Sequence, residues 1–534
     1  MLRLDILIFV TAWLYVYLAP DTKVEESFNL HAIHDILMYG VGSKGLVNYD
    51  HFVFPGAVPR TFVGNVLLAW ISKPVIYLAQ KRGYLGTKLG LQVIVRLVLA
   101  TLNAFTIHLI RKSMSKQFGL WAHYFFTLLA CSQFHLPFWM GRTVPNMYAL
   151  FLVTLASYFV LYRSPNEGMS IRGGALAVTL LTFATVVFRA EVVLILIPAS
   201  IQLVLSCRLS VLNLIVVGSI AGVFSVATTV LVDSYFWNQR LLWPEFSSIY
   251  FNVIQGKSAE WGVSPPWAYF TSHVPKLLLT ALPLSFVGAY VMPRLRRLVL
   301  LAWMYVVFLS FLGHKEWRFI VYVVPIFNIA AGQACTHLLP TYSTDPRMDT
   351  FRLRAAAVYG CIALNLAFTC FTAYVSIHNY PGGQAMRRFH DIYPPTTHVH
   401  VHISNLAAQT GATLFHQLNA PPYWPSLPPA NDTLAWTYNK TEGLDMSYLL
   451  SRDSPFTHLI VEDRPSDQEL EWEFWNVVEG IEALDRVTFH PFTLRKLFKK
   501  NDKGDGLVRR IADGEFSPVK IHKREKLWIL ERFE

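Results

Sequence analysis

At 534 residues, with 53% hydrophobic and only 15% charged side chains, the chain lacks the polar cover that a soluble multidomain enzyme needs; ordinary soluble proteins carry about 25% charged residues. Its 37 Phe, 24 Tyr and 15 Trp exclude disorder, and the formal charge of +11, with no long basic patch, points to anchoring at cytosolic loops and away from a nucleic-acid partner. A polytopic α-helical membrane protein remains.

Apolar runs at 4–19, 62–79, 90–110, 118–135, 147–162, 173–188, 190–206, 209–232, 275–292, 298–313, 318–338 and 355–377 are the candidate membrane helices. The first follows Arg3 and lacks a small-residue cleavage site, so it reads as a retained span. Basic connections at Arg111, Lys112 and Lys116, at Arg163 and Arg172, at Arg208, at Arg294, Arg296 and Arg297, and at Arg347, Arg352 and Arg354 should face the cytosol. With Arg3 on the same side, parity allows one crossing between the first span and Arg111. The 62–79 stretch is short, carries Lys73-Pro74 and follows the prolines from Pro55 to Pro59. It is therefore expected to lie along the far interface, which leaves about eleven spans in a membrane domain 1–377 with a first luminal loop at 20–89. The five cysteines form no CxxC pair, and no disulfide framework or zinc site is visible.

Beyond 377 the composition changes. Alternation at 398–403, 457–461 and 526–530 predicts strands, 421–429 supplies Pro-rich turns, and a charged stretch around 467–484 predicts helix. Residues 378–534 are expected to form a small α/β domain on the luminal side, where the sequons at Asn431 and Asn439 make sense.

Two polar clusters stand out. Glu25 and Glu26 are adjacent just past the first span, followed by His31, His34 and Asp35 at helical spacing, a grouping able to deprotonate a hydroxyl. A solvated membrane boundary, or a metal site needing one more ligand, accounts for the same residues. The second cluster, His314-Lys315-Glu316-Trp317-Arg318, sits between two apolar runs, where charges must pair, snorkel or hold a charged ligand. Two basic residues on the luminal side run against the charge bias and suit a phosphate. Arg60, Arg142 and the pair Arg189 and Glu191 fall on that side too, mutual neutralisation being the competing reading of the last two. The Trp- and Tyr-rich loop 233–274 suits an interfacial belt or a sugar-stacking surface.

The run from His314 to Phe319, HKEWRF, closely resembles the HKExRF signature of the GT-C-fold, dolichyl-phosphate-mannose-dependent mannosyltransferases of glycosyltransferase family 22. KVEESFN, YDHFVFPGAVPRTF, RTVPN, FRAE, DSYFW and NYPGG, spread between Lys23 and Gly383, resemble one branch of it. That branch forms the α-1,6 linkage on a heptamannosyl lipid-linked oligosaccharide in N-glycan precursor assembly. Other branches tend to carry Asp-Glu where this chain has Glu25-Glu26.

The resemblance implies a multi-pass protein of the endoplasmic-reticulum membrane with a luminal active site and lipid around it. Its donor would be dolichyl-phosphate mannose, its acceptor a dolichol-pyrophosphate-linked oligosaccharide, and no metal or other cofactor is expected. A β-linked donor and an α product mean inversion by one in-line displacement through an oxocarbenium-like transition state. One carboxylate base suffices, because the phosphate leaves as a stable anion. The resemblance assigns Glu25 as base, with Glu26 as partner or substitute, and His314, Lys315 and Arg318 to the phosphate; His31, Arg60, Arg142 and Glu316 are further substrate-site candidates. The competing activities are a sister α-1,2-mannosyltransferase of the N-glycan or glycolipid-anchor pathway, a lipid or sugar transporter, and a scaffold. A transporter would carry charges near midplane in repeated halves, whereas here they gather at one face.

Overall fold

The structure, a computed structural model, describes residues 2–161, 171–257, 262–339, 348–425, 427, 434–465, 474–489 and 519–533. Arg163, Trp261, Arg347 and the sequon at Asn431 lie outside the described residues. The chain divides into two compact units: Met1–Pro20, Glu25–Thr372 and Pro422–Leu427 in one, and Asp21–Val24, Ala373–Pro421 and Pro428–Glu534 in the other.

Every interval marked apolar in the sequence is helical over most of its described residues. The longer helices are α1 (Leu2–Leu18), α2 (Val24–Tyr39), α3 (Val63–Lys81), α4 (Lys88–Phe118), α5 (Leu120–Ser132), α6 (Pro145–Leu161), α7 (Ile171–Phe183), α8 (Val193–Leu205), α9 (Val211–Phe236), α10 (Ala281–Val291), α11 (Pro293–Ser310), α12 (Val324–Leu338) and α13 (Met348–Ile377). Five segments are long and apolar enough to cross a bilayer singly: α4, Ile171–Phe188, α9, Trp317–Leu338 and Phe351–Ile377. Tyr269–Leu278 and α10 qualify together as a pair bent by 91°, and Leu4–Leu18, α5, α6 and Ala190–Leu205 are apolar but shorter. The chain is thus a multi-pass membrane protein. α3, with Pro74 inside it, is not among the candidate spans.

Lipid tails are as apolar as leucine, so burial alone does not bring such helices together; close approach does. A Cβ on Gly288 of α10 would lie 1.9 Å from the Ala330 carbonyl oxygen of α12, and one on Gly332 of α12 would lie 2.9 Å from that of Ala122 in α5. Gln133 and Asn328 exchange two side-chain hydrogen bonds of 2.9 Å across the same packing.

The second unit holds α14 (Pro381–Ile392) and a five-stranded sheet of order β2-β1-β3-β5-β4, where β1 is His400–Ile403, β2 Thr437–Asn439, β3 His458–Val461, β4 Trp475–Phe489 and β5 Val519–Arg532. β1 runs parallel to β2 and β3; β5 runs antiparallel to β3 and β4. Met386 and Phe389 of α14 pack with Val401, Ile403, Ile460 and Ile529 in one core. The charged stretch expected to be helical is strand from Trp475 on. Its buried Ile481 and Ala483 flank exposed Glu482, a period of two, and pairing with β5 satisfies its backbone despite three register shifts.

This unit also fixes the residues just ahead of Glu25. Asp21 receives two hydrogen bonds from Arg387, at 2.6 and 2.8 Å, and lies 3.4 Å from His416. Burial alone would raise the Asp21 carboxyl; His416 and Arg387 instead hold it down at about 2. A Cβ on Gly383 would sit 2.4 Å from that carboxyl carbon, so the Asn379-Tyr380-Pro381-Gly382-Gly383 motif needs a glycine there. Asn439, at the end of the edge strand β2, accepts a hydrogen bond from the Thr441 N–H at 2.8 Å.

Candidate active site

The two carboxylates of the acidic pair have opposite surroundings. Both lie in the first turn of α2, where the positive end of the helix dipole favours them. Glu25 is exposed and makes no side-chain hydrogen bond or ion pair among the described residues. Glu26 has no exposure and accepts from Arg142 Nη1 at 2.6 Å, with Arg142 equally sealed and its guanidinium 4.2 Å from the Phe138 ring centre. Two charges removed from water this completely require each other.

The turn that carries Arg142 is tied to α2 and α3 as well. Thr143 donates to the Glu26 carbonyl at 3.3 Å, Asn29 donates to the Thr143 carbonyl at 2.6 Å, and Asn65 of α3 bonds Asn29 at 3.1 Å. Buried Arg96 of α4 donates to the carbonyls of Gly141, Ala19 and Pro20, which fixes the end of α1 to the same turn. At its other end the turn reaches a second group: Asn146 donates to Glu191 at 3.1 Å and bonds the Tyr322 hydroxyl at 3.0 Å. Asn146 lies four positions after Arg142, a backbone reach of at most about 14 Å. The acidic pair and the second group therefore belong to one neighbourhood.

That second group is a recess of three arginines and three glutamates. Arg189, in extended backbone between a π-turn at Ala184–Phe188 and a 3-10 turn at Ala190–Val192, pairs with Glu191 at 2.8 Å. Glu245 accepts the Ala190 N–H at 2.7 Å. Glu316, also extended, takes hydrogen bonds from His314 at 2.9 Å and Arg318 at 2.6 Å. Arg189 and Arg318 both face the Phe319 ring, 5.1 and 5.9 Å from its centre. Arg60 is exposed and within electrostatic range of Arg189, Arg318, Glu245 and Glu316. Desolvation there, with the two neighbouring guanidiniums, brings Arg60 down to about 10. Burial pushes the Glu245 carboxyl up to about 7 against the pull of Arg189. Burial would also raise Glu316, but Arg318 and His314 overcome it and hold its carboxyl low.

The remaining expected residues fall elsewhere. The Lys315 ammonium donates to the carbonyls of Ser264 and Leu312, so it braces the hairpin and leaves Arg318 as the basic residue of the motif that opens on the recess. His31 bonds Asp50 at 3.1 Å, while Asp35 bonds His34 at 2.9 Å and the Asp50 N–H at 2.7 Å; together they hold the 3-10 turn Asp50–Phe52 on α2. Among the described residues no three His, Cys, Asp or Glu form a group able to hold a metal. Of the aromatic loop, Tyr235, Trp237 and Trp243 donate to backbone carbonyls and serve as anchors, whereas Trp267 is exposed.

Glu245 and Tyr322 carry no signal in the sequence, whereas Asn146 and Asp233 fall within the RTVPN and DSYFW motifs without a role assigned to either. Near the recess an open apolar slot runs between α6, α8, α11 and α12, lined by Val160, Pro198, Leu301, Tyr305 and Ile326. Tyr305 also donates its hydroxyl to the Phe319 carbonyl at 2.7 Å, so the slot and the recess share a wall.

Residues 5–424 match the Alg9-like mannosyltransferase family. A Drosophila melanogaster protein called Dol-P-Man:Man(7)GlcNAc(2)-PP-Dol alpha-1,6-mannosyltransferase is 37% identical over 90% of this chain and 66% of its own length, slightly under two thirds. An Arabidopsis thaliana protein of the same name is 33% identical over 93% of both chains. The crystal structure of ArnT from Cupriavidus metallidurans bound to undecaprenyl phosphate aligns at a TM-score of 0.50 and 12% identity, covering 90% of this chain and 96% of that one, which shows a shared fold.

Proposed function

This chain belongs to the Alg9-like mannosyltransferase family, and from that premise we propose that it transfers mannose from dolichyl-phosphate mannose, in α-1,6 linkage, to a dolichol-pyrophosphate-linked heptamannosyl oligosaccharide. The names of relatives matching nine tenths of the chain support this substrate pair over an α-1,2 transfer. The site is proposed to face the lumen of the endoplasmic reticulum, where both lipid-linked substrates are presented.

One observation carries the mechanism: of two adjacent carboxylates, Glu25 is open and unpaired among the described residues while Glu26 is sealed against Arg142. Protonating Glu26 would take the carboxylate charge away from the sealed Arg142 guanidinium 2.6 Å from it, so Glu26 serves to hold α2 and Glu25 serves as base. The acceptor hydroxyl oxygen attacks the anomeric carbon as the bond from that carbon to the phosphate oxygen breaks. The hydroxyl proton passes to Glu25, and the electron pair leaves with dolichyl phosphate. Arg60 binds the phosphate charge the donor already carries, and Arg318 and Arg189 stabilise the charge that grows on it as the bond breaks. The apolar slot suits the polyprenyl chain, and three guanidiniums supply the cationic field a metal would otherwise give, so no cofactor is required.

The test is transfer of radiolabelled mannose by the purified full chain to acceptors carrying six, seven or eight mannoses, with and without a chelator, followed by linkage analysis. Transfer to the heptamannosyl acceptor alone, in α-1,6 linkage and indifferent to chelation, is expected. An α-1,2 product, or facilitated movement of lipid without transfer, would refute the assignment.

A further inference from the structure

The loop that delivers Arg60 is gripped by the end of one helix. α9 is apolar for five turns and then closes with Asp233-Ser234-Tyr235-Phe236-Trp237. A carboxylate at the end of such a run is expensive unless it is fully engaged. Asp233, with no exposure, is engaged on both oxygens: Oδ1 accepts the Phe62 N–H at 2.6 Å and the Thr61 hydroxyl at 3.2 Å, and Oδ2 accepts the Thr229 hydroxyl at 2.5 Å. One turn on, the Trp237 indole N–H donates to the Arg60 carbonyl at 2.9 Å. Rings reinforce the grip, Phe62 stacking on Phe236 with centres 4.6 Å apart and Trp237 on Phe28 of α2 at 5.7 Å.

Arg60 is thus held by a hydrogen bond it accepts from this helix end, and Thr61 and Phe62 by hydrogen bonds they donate to it. The stretch before them contrasts: Phe52, Val53, Pro55, Gly56 and Ala57 are exposed, and Gly56 takes a positive φ of 71°. A free loop would leave the Arg60 side chain to sample many directions, and ordering it at the moment of ligand binding would weaken affinity. The grip removes that freedom in advance. It also explains why a Pro-Arg-Thr-Phe stretch and an Asp-Ser-Tyr-Phe-Trp stretch, some 170 residues apart, occur in one chain.

We propose that Asp233 and Trp237 are positioning residues for Arg60, fixing the backbone at and after its Cα so that its guanidinium is already aimed, beside Arg189 and Arg318, at the donor phosphate. The inference rests on the reading of the recess as the phosphate site.

Trp237→Phe keeps the ring stacking and removes only the indole donor. Asp233→Asn, which keeps size and one acceptor, is the second variant should the first not fold. Each is made in the full chain, alone and together with Arg60→Ala, and kcat, the KM for dolichyl-phosphate mannose and Tm are measured in detergent. Trp237→Phe should raise the donor KM by about 3- to 10-fold, the loss of one neutral hydrogen bond, with kcat within about twofold. In the Arg60→Ala background the same change should leave the donor KM where Arg60→Ala put it, because no guanidinium remains to aim. An equal rise in both backgrounds, whatever happens to Tm, makes the grip merely structural and overturns the proposal. So does a folded Trp237→Phe or Asp233→Asn protein with wild-type KM. If Arg60→Ala itself leaves the donor KM unchanged while the grip variants raise it, the phosphate reading of Arg60 fails, and the positioning claim with it.

Discussion

Two ion-paired centres sit at opposite ends of the Arg142–Asn146 turn, and they differ in one respect. Arg142 and Glu26 have no exposure on either side chain and pair with each other across 2.6 Å. Glu316 divides its carboxylate between His314 and Arg318 and keeps 24% of its side chain exposed, with Arg318 at 15%. A sealed pair has nothing to exchange with, because any newcomer would have to displace packed protein. An open one can trade the carboxylate for a ligand's phosphate at small net change, since the arginine is cationic throughout and solvent can reach the released Glu316. Full sealing therefore marks structure, and partial opening marks chemistry.

The largest effect expected from this contrast is on folding. Arg142→Met takes from the sealed Glu26 carboxylate its guanidinium partner at 2.6 Å and should destabilise by about 3–5 kcal/mol, read as a lower melting temperature in detergent. Adding Glu26→Gln should recover part of the loss. A double variant no more stable than Arg142→Met would break the account of this pair.

Arg318→Ala, at the open centre, should leave melting nearly unchanged and weaken transition-state stabilisation by about 2–4 kcal/mol, comparable to losing one preorganised oxyanion donor. Arg318→Lys should rescue partly, because charge returns without the fork. A folded Arg318→Ala protein of normal rate would show that the open pair is not the phosphate site.

The smallest effect is a pH dependence. Glu245 is raised from an ordinary carboxylate value to about 7, so below the unfolded value both states are protonated and it has no influence. As pH rises from there through about 7, the unfolded chain releases a proton that the folded one retains, and stability falls. Glu245→Gln should flatten the decline in melting temperature between pH 5 and 7.5, and an unaltered slope would sharpen the contrast by assigning the titration elsewhere.

How much of this the sequence disclosed follows from what a bilayer enforces. Runs such as 209–232 must be helical because lipid offers no other backbone partner, and each run so marked is helical over most of its described residues. Outside lipid that constraint lapses, and the charged stretch from Trp475 was misread because pairing with β5, more than forty residues on, decides its state. The site was legible where charges cluster, at Glu25-Glu26 and at the run from His314 to Arg318. It was not legible where one polar residue acts alone, as Asn146 and Glu245 do, nor where pairing is distant: nothing in the order of residues joins Glu26 to Arg142, 116 positions away. Lys315 and Arg318 looked equivalent in sequence, and only the hairpin's carbonyls separate them.

The central claim is that the open member of the acidic pair takes the proton. Glu25→Gln and Glu26→Gln, each purified in detergent and supplied with saturating donor and the heptamannosyl acceptor, are to be compared for single-turnover mannose transfer and for melting temperature. Glu25→Gln should transfer at least about 10²–10⁴-fold more slowly and melt like wild type, whereas Glu26→Gln should melt lower and lose less rate. The opposite pattern, Glu26→Gln inactive at normal stability with Glu25→Gln at full rate, would contradict the account.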